Sequence, residues 1–224
     1  MAGRSVGLCA ALVAAAFSAS AEPVAGPFFE AAPLHQTSGE VTTSPPAGDQ
    51  RGPVRVGLMV GVVSVPRPIS AELFARLYDL VGIGASYSTL PKGLGDLILS
   101  AASVKDVTIE SSAFDGELRL FPFRGSFFVG SALGRQTLAA SASRQGTTVN
   151  VDMVTLYATP RLGWLGIWDN GFSLSLDAGV QLPLSTDATA SSGNPDAASA
   201  AQSAAKALGN QPLPSVNLRV GLFL

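Results

Sequence analysis

Charge is scarce in this chain of 224 residues: Asp, Glu, Lys and Arg make up 13%, and the formal net charge is −2. The basic footprint that nucleic-acid binding demands is missing. Cysteine occurs once, at Cys9, and histidine once, at His35. One cysteine excludes an internal disulfide. Without a Cys/His set there is no expected metal centre, cofactor site or nucleophile–base pair, so no catalytic residue is assigned and the chain is not read as an enzyme. Lysine occurs at Lys92, Lys105 and Lys206 alone. Long apolar runs are missing as well: beyond the N-terminus, no stretch reaches the roughly 18 residues of a spanning helix. Yet 47% of residues are hydrophobic and the mean hydropathy is +0.35. An apolar average without an apolar helix points to alternating strands.

Alternation is clearest in Gly171–Leu184, GFSLSLDAGVQLPL. Phe172, Leu174, Leu176, Ala178, Val180, Leu182 and Leu184 fall on one face, and small or polar residues fall on the other. The pattern recurs in eight segments: Val54–Val65, Ile69–Tyr78, Val81–Leu90, Val107–Phe123, Ser126–Ala142, Val149–Trp168, Gly171–Leu184 and Ser215–Leu224. The second could also be read as an amphipathic helix, with Leu73, Leu77 and Leu80 at helical spacing. Its neighbours need a partner strand there, which favours the strand. Parity breaks near Arg135-Gln136, where a bulge is expected. Asn170-Gly171 is the strongest hairpin signal. Helical spacing in Pro91–Asp106 and an Ala-rich stretch near Ala197–Leu208 predict short helices in two long connections, the longest being Ser185–Pro214.

The N-terminus carries Arg4, an apolar run from Val6 to Phe17 and a small-x-small Ala19-Ser20-Ala21. Residues 1–21 therefore read as an export signal. Glu22–Gly52 is Pro-rich and aperiodic and reads as a disordered periplasmic linker, with His35 solvated in it. The domain proper is 53–224.

Three features argue that the apolar face meets lipid. Tight turns alternate with long connections, as in outer-membrane barrels. Aromatics gather near the tight turns: Tyr78, Phe121, Phe123, Phe127, Trp164, Trp168, Phe172 and Phe223 are expected to form an interfacial girdle. Lysine is absent from all eight segments. The predicted fold is all-β, an eight-stranded antiparallel up-and-down transmembrane β-barrel. Its polar face then lines the lumen and collects Arg55, Glu72, Arg76, Asp115, Glu117, Arg119, Arg161, Asp177 and Arg219. An eight-stranded barrel is just wide enough inside for side chains to fill it, so these charges are expected to pair into a plug.

The export signal, Gly-rich strands such as FFVGSALG and the final SVNLRVGLFL resemble the small outer-membrane β-barrel superfamily that includes the OmpA transmembrane domain and OmpX. The resemblance covers Val54–Leu224 and implies outer-membrane localisation in a Gram-negative cell envelope. It also implies assembly by the barrel-insertion machinery, which reads a terminal aromatic. Here Phe223 stands one place before Leu224. The expected role is structural or surface-interacting, as a monomer among outer-membrane lipid with a loop partner the sequence does not name. A narrow porin for small ions or solutes is the alternative.

Overall fold

The computed structural model describes residues 53–101, 106–144 and 147–224. The expected export signal and linker, residues 1–52, lie outside the described residues, as does Lys105.

Eight strands close into a ring in chain order. They are β1 (Val54–Val65), β2 (Ile69–Leu77), β3 (Val81–Leu90), β4 (Val107–Leu120), β5 (Phe127–Arg144), β6 (Thr147–Ile167), β7 (Phe172–Ser192) and β8 (Leu213–Phe223). The last joins the first antiparallel, with Gly57 opposite Phe223 and Val65 opposite Val216. Closure leaves no free sheet edge, which is what a strand surrounded by hydrocarbon requires.

The turns between β2 and β3, β4 and β5, and β6 and β7 lie at one end, together with Val54 and Leu224. At the β6–β7 turn Gly171 adopts φ +81. A Cβ there would meet the Phe223 carbonyl at 2.5 Å, so the Asn-Gly pair answers to backbone and to space. At the opposite end, helix α1 (Lys92–Ala101) packs against β4, with Gly95 tight on the Ile109 carbonyl. Helix α2 (Pro195–Gly209) follows β7. Asn194 caps it, accepting from the Asp196 amide at 3.0 Å, and Pro195 opens it. The Gln202 amide donates to the Ala188 carbonyl at 2.7 Å and ties α2 to β7.

The alternation sorts the faces as expected. Outward stand residues such as Leu58, Leu73, Leu118, Leu133, Leu162, Leu176 and Leu222, all exposed. Inward stand Glu72, Asp115, Glu117, Arg119, Arg161, Asp177 and Arg219, with serines such as Ser70, Ser86, Ser173 and Ser175. Along β7 the outward apolar set runs from Phe172 to Leu184, and along β5 from Phe127 to Leu133. At ~3.3 Å per residue and a tilt of ~40°, this makes a belt roughly 15 Å tall along β5 and roughly 30 Å along β7.

Two expectations are corrected. The strand expected to end at Leu184 runs on to Ser192, so the first part of the supposed Ser185–Pro214 loop is strand. Beyond the belt no face has to be apolar, and Ser185–Ser192 pairs with the start of β6 despite its polar composition. The bulge expected at Arg135-Gln136 is absent: β5 pairs without interruption with both neighbours, and the register shifts instead at Gly61/Val63 and Leu156/Tyr157. What looked like a parity break is an arginine on the outer face. Such a residue costs about 2–4 kcal/mol at the bilayer midplane but about 0–1 kcal/mol at the interface. Arg135 sits where that cost is low, at the loop-end edge of the apolar belt.

Candidate functional site

The lumen is stacked in layers. At the turn end, Arg55 and Arg76 both pair with Asp79, Arg76 at 3.2 Å. Asp79 occupies the β2–β3 turn with φ 56, so the turn itself supplies the carboxylate. Arg76 also donates to the Gly125 carbonyl at 2.7 Å, holding the β4–β5 turn against the β2–β3 turn.

Next comes a layer of rings. Met59, Phe74, Phe121, Phe128, Leu165 and Phe223 form one buried cluster. Phe121 and Phe128 lie 5.7 Å apart between centroids, and Phe74 and Phe223 6.0 Å apart, edge to face. Inward glycines make room: a Cβ on Gly82 would lie 2.1 Å from the Phe74 ring, and one on Gly163 2.4 Å from Phe128. Of the rings expected in the girdle, Phe121 and Phe223 thus point into the barrel. Both lie on lumen parity, and parity outweighs closeness to a turn. Tyr78, Phe123, Phe127, Trp164, Trp168 and Phe172 are exposed on the outside at the turn end. Trp168 bridges Trp164 and Phe172, at 6.1 and 5.3 Å.

Above the rings lies the ion cluster. Arg119 reaches Glu72 at 2.5 Å and Glu117 at 2.6 Å. Arg161 meets Glu117 at 2.9 Å, and Arg219 meets Glu72 at 3.1 Å and Asp177 at 2.8 Å. Asn217 donates to Asp177 at 2.8 Å. These six charges come from five strands, β4 supplying both Glu117 and Arg119, and are all buried. Three cations against three anions leave the layer neutral, which a low-dielectric interior demands. The Nε and Nη1 atoms of Arg119 have no hydrogen-bond partner. The guanidinium lies 4.5 Å from the Phe74 centroid and 4.8 Å from that of Phe128, so ring faces stand in for acceptors.

A further polar layer lies at the loop end, where Asp115 of the expected lumen charges is joined by Tyr157, Arg67, Gln136 and Gln181. Tyr157 donates its hydroxyl to Asp115, which also accepts from Ser86 at 3.2 Å. Arg67, from the Pro66-Arg67-Pro68 turn, folds back into the mouth and is buried. It donates to Ser88 at 2.8 Å, Gln136 at 2.7 Å and Tyr157 at 3.1 Å. Gln181 also donates to Gln136, at 2.9 Å. Between Arg67 and the ion cluster a polar cavity has a water-accessible volume of about 20 Å³. That holds one or two waters.

The nine charges expected to share one network therefore divide. Glu72, Glu117, Arg119, Arg161, Asp177 and Arg219 form the cluster. Asp115 sits a layer above, and Arg55 and Arg76 are on the far side of the rings. Arg67, Asp79, Tyr157 and Gln136 were missed. An arginine between two prolines in a tight turn carries no signal separating insertion from solvation. Tyr157 and Gln136 do carry one, their lumen parity.

Among the described residues no group of three or more His, Cys, Asp or Glu could hold a metal ion. No helix of the described residues is long and apolar enough to cross a membrane, which leaves crossing by strands untouched.

Fold and interior together define a closed eight-stranded barrel with an apolar outside and a filled polar core. Among solved structures it is similar to two Acinetobacter baumannii proteins. CarO2 aligns over 76% of this chain and 98% of its own, at 11% identity and a TM-score of 0.45. CarO aligns over 76% and 96%, at 13% identity and 0.43. At these values the likeness carries no information about role. No family model matches the chain, and no curated protein does.

Proposed function

We propose that this chain is an integral outer-membrane β-barrel with a structural or surface-interaction role, its lumen filled by a salt-bridged polar network. The observation that carries the reading is the inverted distribution of polarity. Leucines and valines cover the outside, while Arg119, Glu72, Glu117, Asp177 and Arg219 are buried inside. A water-soluble barrel would invert both faces, because a large exposed apolar surface is unstable in water. Residues 1–21 would export the chain, residues 22–52 would remain as a linker, and the barrel-insertion machinery would place residues 53–224. The six outward aromatics fit a headgroup-level girdle.

A filled lumen supports a non-conducting role over a narrow porin. The ring layer lies across the path between the two ends, and the cavity above it holds one or two waters. Two experiments test this. Membrane-extracted protein should migrate faster on a gel before boiling than after. Purified protein should then be silent in planar bilayers. Absence of the mobility shift would overturn the barrel in the membrane. Stable single-channel steps would replace the filled lumen by the porin.

A further inference from the structure

The outer wall carries a groove that the lumen-centred reading does not use. It has a volume of about 440 Å³ and crosses β3 to β6 at the loop-end edge of the apolar belt. Tyr87 and Thr89 form one side, Ser112 and Thr137 the floor, and Asp152 and Val154 the other side. These residues share the outward parity. Glu110 and Ala139 share it too, whereas Leu90, Ser111, Leu138 and Met153, which alternate with them on the inward parity, border the groove as well, and no residue of the two helices does. With most of its lining on the outward parity, the groove opens outside the barrel. Ser112 and Thr137 hydrogen-bond each other at 2.8 Å across the floor, leaving hydroxyl capacity facing out.

Directly beneath lies Arg135, two residues before Thr137 on the same face of β5. It is paired in register with Phe114 and Leu156, and Phe114 pairs with Tyr87. Arg135 is exposed and makes no ion pair or hydrogen bond among the described residues. The other described strand arginines with placed side chains, Arg55, Arg76, Arg119, Arg161 and Arg219, are all on the lumen parity. A lone unpaired cation on an apolar wall calls for an anion at that depth. The height, at the top of the belt, is that of a lipid phosphate rather than an acyl chain.

We infer that this groove binds the phosphorylated sugar headgroup of an outer-leaflet glycolipid. The phosphate pairs with Arg135. Sugar hydroxyls meet the hydroxyls of Ser112 and Thr137 and donate to the carboxylate of Asp152. The acyl chains lie down the leucine and valine face beside Phe114. A simple phospholipid such as phosphatidylglycerol would engage the cation but brings only the hydroxyls of its glycerol, fewer and less fixed in position than those of a sugar ring, to the hydroxyl and carboxylate set. The inference rests on the outer-membrane reading above.

The test is native mass spectrometry of the full chain in detergent, with lipid A (a phosphorylated, acylated glucosamine disaccharide) or phosphatidylglycerol added. A single lipid A adduct is expected, at least about tenfold more abundant than the phosphatidylglycerol adduct. R135Q should reduce it at least fivefold, and T137A should weaken it. R124Q, at the opposite end of the barrel, should leave it intact. Each variant is checked for the gel mobility shift, so that a loss of binding is read on folded barrel. Equal binding of both lipids, or an adduct indifferent to R135Q, would overturn the site. A mobility shift with no adduct would overturn the site alone, whereas no shift in the parent protein would overturn the membrane barrel as well.

Discussion

Two adjacent layers of the lumen solve the same packing problem by different means. Below Glu72 and Glu117 the space is filled by rings laid over glycines; at their level it is filled by arginines and carboxylates drawn from five strands. The ring layer tolerates small displacements, because dispersion is short-ranged but not directional. The ion layer does not, since each guanidinium needs its carboxylates within hydrogen-bond range. Arg119 belongs to both: it donates to Glu72 and Glu117 and lies against Phe74 and Phe128. The lesson is that side chains of the wall itself can fill a narrow barrel when its charges balance at one level and its rings pack at the level below.

Substitutions can break this contrast. Arg119→Met should have the largest effect, because it leaves the buried layer one positive charge short, with Glu72 held by Arg219 alone and Glu117 by Arg161 and Arg219. Urea unfolding in detergent, followed by the gel shift, should show a loss of about 3–5 kcal/mol. Arg119→Met with Glu72→Met restores charge balance, with Arg161 and Arg219 against Glu117 and Asp177, and should recover most of that loss. Phe128→Ala comes next, at about 3 kcal/mol in the same assay. It should also admit ion steps in planar bilayers that the Arg119→Met/Glu72→Met pair does not, if the rings are the seal. Equal conductance from both would move the seal to the ion layer.

Phe121→Leu should cost about 1–2 kcal/mol, through lost ring contact with Phe128 and with the Arg76 guanidinium 4.2 Å above its face. Phe123→Leu, two residues along and outside the wall, should leave the urea midpoint within about 0.5 kcal/mol. Similar costs for the two would erase the distinction between lumen floor and outer girdle.

Much of the barrel was legible in the chain. The bounds of β1 and β3 are those expected, and the Asn-Gly turn, both helices and nearly every inward or outward assignment were readable from alternation. The errors have physical causes. Phe121 and Phe223 were placed in the girdle because they adjoin turns, although their own parity pointed inward. Arg135 was taken for a bulge because a charge on the outer face looked like a slip in register. β7 was ended at Leu184 because its apolar alternation stops there, while the strand continues as polar sheet paired with β6.

Alternation of period two is local, written residue by residue, so the sequence alone sufficed to assign faces, strand number and the apolar belt. Which inward side chains meet is not local. It depends on how far each strand is staggered when the ring closes and on where the bulges at Gly61/Val63 and Leu156/Tyr157 fall. That stagger, a property of the closed cylinder, brought Arg119 between Glu72 and Glu117, split Arg55 and Arg76 from the cluster, and left room for Arg67 to fold into the mouth.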